Sequence, residues 1–267
     1  MILLDGRKLA AELLRTLKME IATLPRKPKL AVMLVGSDPA SQIYVGLKKK
    51  RAEEIGMQVE LKTFFATTTT DELTATIDQW NADKSVDGIL VQLPLPKGID
   101  TNTITHRIDP KKDADGFLNA GFIPPVHAAV RALIQSSGKN TQGFKGSIVG
   151  NSKVFTEPLQ KLLKLEGMDL NLVLREQREH HDFSRDQVIV IAIGVPCWLT
   201  AEKIPDHSIV IDIGTNRLDE GVVVGDVDLR SVEDKPGWIS PSPGGVGPLT
   251  VAYLLSNTVQ AAKRRIA

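Results

Sequence analysis

What most constrains this chain is a twice-repeated alternation of short strand-like runs, several of them continuously apolar, with helix-period segments. Leu30 to Val35, Val59 to Phe65 and Gly88 to Leu93 are runs of strand length. Between them lie Ser41 to Ile55, stopped by Gly56, and a helix that opens after the Thr67 to Thr70 run and extends to about Trp80. Lys8 to Ala22 precedes the set, with Leu9, Leu13, Leu14, Leu17 and Ile21 at helical spacing behind Asp5-Gly6. A strand that is apolar on both faces has to be covered on both, and helical crossovers over a parallel sheet do this.

From Ala120 the pattern restarts. A helix is expected from Pro124 and Pro125 to about Gln135, then a strand at Gly146 to Gly150, then a helix at Glu157 to Leu165 with Pro158 in its first turn. Strands follow at Leu170 to Leu174, Gln187 to Ile193 and Ser208 to Ile213. A Gly/Pro loop, Pro241 to Pro248, leads into a closing helix from Leu249 to Arg265. The expectation is an α/β chain of two domains, 1–120 joined by the last helix at 249–267, and 121–248.

Composition narrows the partners. Lys and Arg number 33 against 32 Asp and Glu, a net charge of +1. That excludes a nucleic-acid binder acting through bulk charge, and it excludes a disordered chain. The single cysteine, Cys197, excludes an internal disulfide framework and a cysteine-based zinc site, and favours a reducing compartment. The longest apolar stretch, Val188 to Leu199, is interrupted by Gly194 and Pro196, and it falls short of the roughly 20 residues a membrane span needs. The N-terminus is too short in apolar residues for a secretory segment. A cytoplasmic, membrane-free protein is expected, with no metal site.

Four segments can carry chemistry. Tyr44 and Lys48 are four apart and share one helix face. A ring beside an ammonium can stack a flat ligand and move a proton, but on spacing alone a solvated Lys48 to Arg51 face is the better reading. Gln92, in Val91-Gln92-Leu93-Pro94-Leu95-Pro96, closes a buried strand where open α/β sheets place ligands. A plain strand end is its alternative. Asp115, in Lys112-Asp113-Ala114-Asp115-Gly116, is either an acceptor for two N–H groups of a heterocycle or part of an Asp-Gly turn. Pro241-Ser242-Pro243-Gly244-Gly245-Val246-Gly247-Pro248 is either a rigid backbone path exposing N–H groups or a stiff linker.

In order and spacing, these segments together with Gly214-Thr215-Asn216-Arg217, Gly225-Asp226-Val227 and Thr250-Val251-Ala252 resemble the bifunctional methylenetetrahydrofolate dehydrogenase/methenyltetrahydrofolate cyclohydrolase family over nearly the whole chain. The resemblance implies an N-terminal folate-binding, catalytic α/β domain with a parallel sheet, a C-terminal Rossmann-like dinucleotide-binding domain, and a folate cleft between them. It implies tetrahydrofolate derivatives as ligands, NADP or NAD as cofactor, and a homodimer formed through the second domain. Tyr44 matches the residue that stacks on the aminobenzoyl group. Lys48 matches the essential lysine of hydrolysis, and Gln92 its hydrogen-bonded partner. Asp115 matches the acid on the pterin edge, and Pro243, Gly244 and Gly245 the substrate loop. Gly150, Asn151, Ser152, Arg175 and Thr215 fall at cofactor-binding positions.

The chain departs from the family in its dinucleotide half. Gly-Arg-Ser-x-x-x-Gly-x-Pro becomes Gly150-Asn151-Ser152-Lys153-Val154-Phe155-Thr156-Glu157-Pro158. Thr156 is expected to crowd the phosphate approach, and Glu157, placed in a first helical turn, to repel a pyrophosphate by about 1–4 kcal/mol near a surface. Lys153 offsets part of this if it reaches the phosphates. A His-Ser-x-Thr stretch becomes Leu174-Arg175-Glu176-Gln177-Arg178, in which Arg175 or Arg178 suits a 2′-phosphate and Glu176 a ribose hydroxyl. Pro-Cys-Thr-Pro becomes Pro124-Pro125-Val126-His127, with His127 expected as a cap or surface residue. The alternatives are a cyclohydrolase that has lost the oxidation and a folate-binding protein without catalysis.

Overall fold

The computed structural model describes residues 1–118 and 120–266. The chain divides into two compact units, residues 11–125 with 251–267 and residues 1–10 with 126–250. The sequence-based boundaries differ by a few residues at most points. The first ten residues are the larger difference, because they pair with a sheet built from the C-terminal half.

In the three-stranded unit, α1 (Gly6–Ala22) is followed by β2 (Lys29–Val35), α2 (Pro39–Glu54), β3 (Gln58–Phe64), α3 (Thr70–Ala82), β4 (Gly88–Val91) and the short α4 (Thr101–Thr105). The strands are parallel in the order β3-β2-β4. Alternation along β2 explains its unbroken apolar run. Leu30, Val32 and Leu34 face a core shared with Leu17 and Ile21 of α1, Val45 and Ala52 of α2, and Leu254, Leu255 and Val259 near the C-terminus. Ala31, Met33 and Val35 face Leu73, Ile77 and Trp80 of α3 and Ile104 of α4. Every β2 side chain from Leu30 to Val35 is buried, as a central strand covered on both faces requires. The α3 start matches its sequence signature, with Thr69 and Glu72 forming a reciprocal capping box.

The six-stranded unit begins with β1 (Ile2–Leu3) and continues with α5 (Pro125–Ser136), β5 (Lys145–Gly150), α6 (Lys153–Leu165), β6 (Asp169–Leu174), β7 (Val188–Ala192), β8 (Ile209–Asp212), the hairpin β9 (Asn216–Arg217) and β10 (Val223–Val224), and β11 (Trp238–Ser240), before α7 (Val246–Ile266). The main sheet is parallel, in the order β1-β11-β8-β7-β5-β6. The chain leaves β5 toward β6 and then returns past it to β7, so the strand order reverses between β5 and β7. Ligands of open α/β sheets bind at the carboxyl ends of strands at such a point. This is a Rossmann-like arrangement, as expected.

Two helix starts move by three residues or more relative to the sequence reading, and those of α1 and α2 by two. α6 begins at Lys153, not Glu157, with Ser152 extended as its N-cap. Pro158 therefore sits inside the helix, where its missing N–H deprives only the Val154 carbonyl of a partner, one turn from the start. α7 begins at Val246, so Pro248 lies in its first turn and the Gly/Pro loop is shorter than expected. Among the described residues, no helix is long and apolar enough to cross a membrane.

Gly6 is where α1 meets the Gly/Pro loop. A Cβ built there would lie 1.8 Å from the Gly245 carbonyl oxygen, whereas one on Gly46, inside α2, meets nothing within 4 Å. Gly6→Ala is expected to cost about 1–3 kcal/mol through overpacking against rigid backbone. Gly46→Ala is expected to gain about 0.5–1 kcal/mol. Urea denaturation of both variants reads the opposite signs.

Candidate active site

The three-stranded unit gathers four predicted residues. Asp38 accepts a hydrogen bond from Ser41 N and starts α2 ahead of Pro39. The helix then presents Tyr44 and Lys48 one turn apart; Tyr44 is exposed and Lys48 partly buried. β4 ends at Val91, two residues earlier than expected, and Gln92 is the first residue beyond it. Lys48 Nζ donates to Gln92 Oε1 at 2.9 Å, while Gln92 Nε2 donates to the Leu93 carbonyl at 2.7 Å. The second bond fixes which end of the amide faces the lysine.

Burial pushes the Lys48 ammonium below its ordinary range, and the charge of Asp115 opposes that shift. Burial pushes Asp115 up to about 6; Lys48 pulls it down and Asp113 pushes it further up. The ammonium and the carboxyl are thus both displaced toward their uncharged forms.

Most of the motif around Asp115 is scaffold. Lys112 is buried, and its Nζ donates to the carbonyls of Trp80, Asn81 and Asp83 at 2.7, 2.8 and 2.7 Å. It satisfies carbonyls that the end of α3 leaves without helical partners. Asp113 accepts from the N–H groups of Asp115 and Leu118 and shapes the loop. Asn257, in the C-terminal helix, donates to the carbonyls of Ala114 and Ile123, both at 3.0 Å. The sequence reading missed Asn257. Its available signal was an amide at a helical position between the apolar Leu254, Leu255 and Val259.

The remaining predicted residues belong to the six-stranded unit. Gly150 ends β5, Asn151 and Ser152 are exposed, and Ser152 makes no side-chain cap bond. The first N–H groups of α6 are therefore left to a ligand or solvent, as an anion site requires. Thr156 does not enter this loop. It is buried, its hydroxyl donates to the Ser152 carbonyl, and its methyl lies where a Gly150 side chain would be. Glu157 is exposed and fifth in the helix, so no acid occupies the first turn. The expected repulsion of a pyrophosphate is corrected by the helix start at Lys153. These residues fit a dinucleotide phosphate.

Arg175 is exposed in the 3₁₀ turn that follows β6, and Thr215 is exposed between β8 and β9. Pro243 is exposed, while Gly244 and Gly245 are buried. His127, expected as a cap or surface residue, is buried at 3 % exposure. As the third residue of α5 it turns inward, edge-on to Phe155 with ring centroids 5.1 Å apart. Burial pushes it down to about 4, so it is neutral at physiological pH.

Comparison with known proteins identifies the family and the fold. The catalytic-domain model of the tetrahydrofolate dehydrogenase/cyclohydrolase family matches residues 4–115, and the NAD(P)-binding-domain model of that family matches residues 124–266. The bifunctional protein FolD of Rickettsia typhi is 40 % identical over 99 % of both chains, and that of Campylobacter fetus is also 40 % identical over 99 % of both. Among solved structures, the bifunctional FolD enzyme of Campylobacter jejuni superposes with a TM-score of 0.95 at 37 % identity, covering 99 % of each chain. The Trypanosoma brucei enzyme, complexed with NADP and an inhibitor, gives 0.93 at 30 % identity, covering 99 % of this chain and 98 % of its own.

The Lys48–Gln92 contact makes a direct prediction. Gln92→Glu puts a carboxylate against the ammonium and raises the Lys48 pKa by roughly 1–3 units. An NMR titration of the Lys48 side chain measures the shift; an unchanged midpoint would show that the contact is not populated in solution.

Proposed function

We propose, because this chain belongs to the tetrahydrofolate dehydrogenase/cyclohydrolase family, that it oxidises 5,10-methylenetetrahydrofolate to the 5,10-methenyl form with a nicotinamide dinucleotide and hydrolyses that product to 10-formyltetrahydrofolate. The observation that carries the reading is the desolvated Lys48 held by Gln92 and facing the field of Asp115.

The methenyl carbon carries delocalised positive charge, so the nucleophile is water and the difficulty is its proton. As the water oxygen bonds to carbon, neutral Lys48 accepts one of its protons and leaves a neutral hydroxyl adduct. Lys48 returns that proton to the ring nitrogen as the carbon–nitrogen bond to it breaks, and the adduct hydroxyl gives its remaining proton to solvent as the formyl carbonyl forms. Desolvation lowers the cost of the neutral amine, which is what a general base near neutral pH needs. A nearby cationic substrate pushes in the same direction. Gln92 orients Nζ through a neutral carbonyl oxygen. A carboxylate there would hold the lysine charged and impair the relay. Asp115, stripped of water by burial, takes N–H donors of the pterin edge in place of solvent. The exposed Tyr44 ring offers a stacking face one turn from Lys48. The Pro243-Gly244-Gly245 loop joins the substrate site on the strength of its match to the family.

Gly150, Asn151 and Ser152 at the start of α6, with Arg175 and Thr215, would hold the dinucleotide. When bound, the nicotinamide supplies the hydride acceptor, and the protein's part is to place it. NADP is the cofactor favoured by Arg175, whose guanidinium opens the turn just after β6, and Glu176 beside it is the feature that would favour NAD. A homodimer built through the six-stranded unit and a cytoplasmic location complete the reading, supported by the family resemblance and the lone cysteine.

Lys48→Met is expected to slow methenyltetrahydrofolate hydrolysis by at least about 10²-fold, the scale of a general acid–base contribution, with folate binding retained. Loss of absorbance at the methenyl band measures it. Calorimetric titrations should show tighter binding of NADP⁺ than NAD⁺, and Arg175→Ala should narrow the gap. Wild-type protein that forms no reduced cofactor from the methylene substrate would remove the oxidation and leave only the hydrolysis.

A further inference from the structure

The carboxyl edge of the six-stranded sheet holds a buried carboxylate that the mechanism above does not use. Asp226 is fully buried. Its carboxylate accepts hydrogen bonds from three consecutive backbone amides, Ile193 at 2.6 Å, Gly194 at 3.1 Å and Val195 at 2.9 Å. Gly194 is in the left-handed region, φ +64°, which turns successive N–H groups toward one point. Such a concave trio of amides is an anion nest. Here the chain fills it with its own carboxylate, so the loop after β7 is shaped before any ligand arrives.

The same carboxylate is tied sideways. Asn216 Nδ2 donates to Asp226 Oδ1 at 2.9 Å and to the Gly225 carbonyl at 3.1 Å. The Asp226 and Val227 amides donate to Asp212, which also accepts from Gly214 N at 2.8 Å. Ser242 Oγ donates to the Gly214 carbonyl, and Ser240 Oγ accepts from Asp212 N. The loops after β7 and β8 are thereby cross-linked, and exposed Thr215 is suspended between two fixed neighbours.

We propose that Asp226, steadied by Asn216, is a positioning residue for the dinucleotide, presetting the Gly194–Val195 and Gly214–Thr215 backbones on which its nicotinamide half is laid. The inference rests on the function proposed above. Hydride transfer tolerates little misplacement of the reacting carbon, and a shift on the order of 1 Å costs about a hundredfold. Lys48, Gln92 and Asp115, the groups proposed to carry the hydrolysis, belong to the other unit and are not members of this network.

Asn216→Ala removes both side-chain bonds and leaves the carboxylate in place; Asp226→Asn weakens the nest itself. The test uses the full-length protein and reads amide exchange at Ile193 to Val195 without cofactor, the NADP⁺ dissociation constant, and both activities. Asn216→Ala is expected to speed exchange at these three amides, to raise the dissociation constant and the dehydrogenase KM about tenfold, and to leave hydrolysis within about twofold, a tenfold change being about 1.4 kcal/mol. Asp226→Asn should act in the same direction and more strongly; if it does not fold, Asn216→Ala decides alone. Unchanged exchange and affinity, or a parallel fall of both activities with the melting temperature, overturns the inference. Wild-type protein that binds no dinucleotide overturns the functional reading instead.

Discussion

Withdrawing one ammonium group from water is the constraint on which the chemistry proposed for the three-stranded unit rests. Two lysines there are taken from solvent, with different consequences. Lys112 spends its donors on three backbone carbonyls at the end of α3 and works as a cap. Lys48 has a single neutral amide oxygen as its hydrogen-bond acceptor and an acid nearby. An ammonium bonded to three carbonyls has no donor left for a ligand, although burial pushes it down as well. One held by a single acceptor in a desolvated setting is poised to lose its proton. Burial pushes both ammonium groups down; what distinguishes them is that Lys112 has its three donors committed to carbonyls, while Lys48 keeps donors free for a ligand.

Much of the surrounding fold maintains that setting. β2, buried on both faces, fixes β4 beside it through parallel pairing, and Gln92 leaves β4 at the point where the helix α2 can offer Lys48. On the acid side, Lys112, Asp113 and Asn257 hold the loop, so Asp115 is placed by three polar contacts that do no chemistry themselves. In the six-stranded unit, a second polar lattice centred on Asp212 and Asp226 ties together loops that follow different strands. Buried polar networks of this kind are costly when half satisfied and rigid when complete.

How much of this was legible depended on whether the determining signal was local. The central strands of the parallel sheets were readable because their side chains are apolar on both faces, and the α3 start because its capping box lies within four residues. The α6 start was not, because Pro158 suits a first turn and the interior placement depends on Ser152 being extended at the end of β5. β1 and β11 were missed for a different reason. Ile2–Leu3 and Trp238–Ser240 are too short to show a period, and they are strands only because they pair with each other and with β8. His127 looked like a polar residue at a helix start; its burial against Phe155 is a contact across 28 positions.

By itself, the sequence determined the α/β alternation, the candidate side chains and the family, since each of these is written in residue types and spacings along a few turns or strands. The tertiary structure alone decided which of those side chains lose their water, which carboxylates are spent on backbone amides, and which end of the Gln92 amide meets Lys48. Those outcomes depend on what stands opposite each group in space, and hydration and hydrogen bonding are settled by neighbours that the linear order does not name.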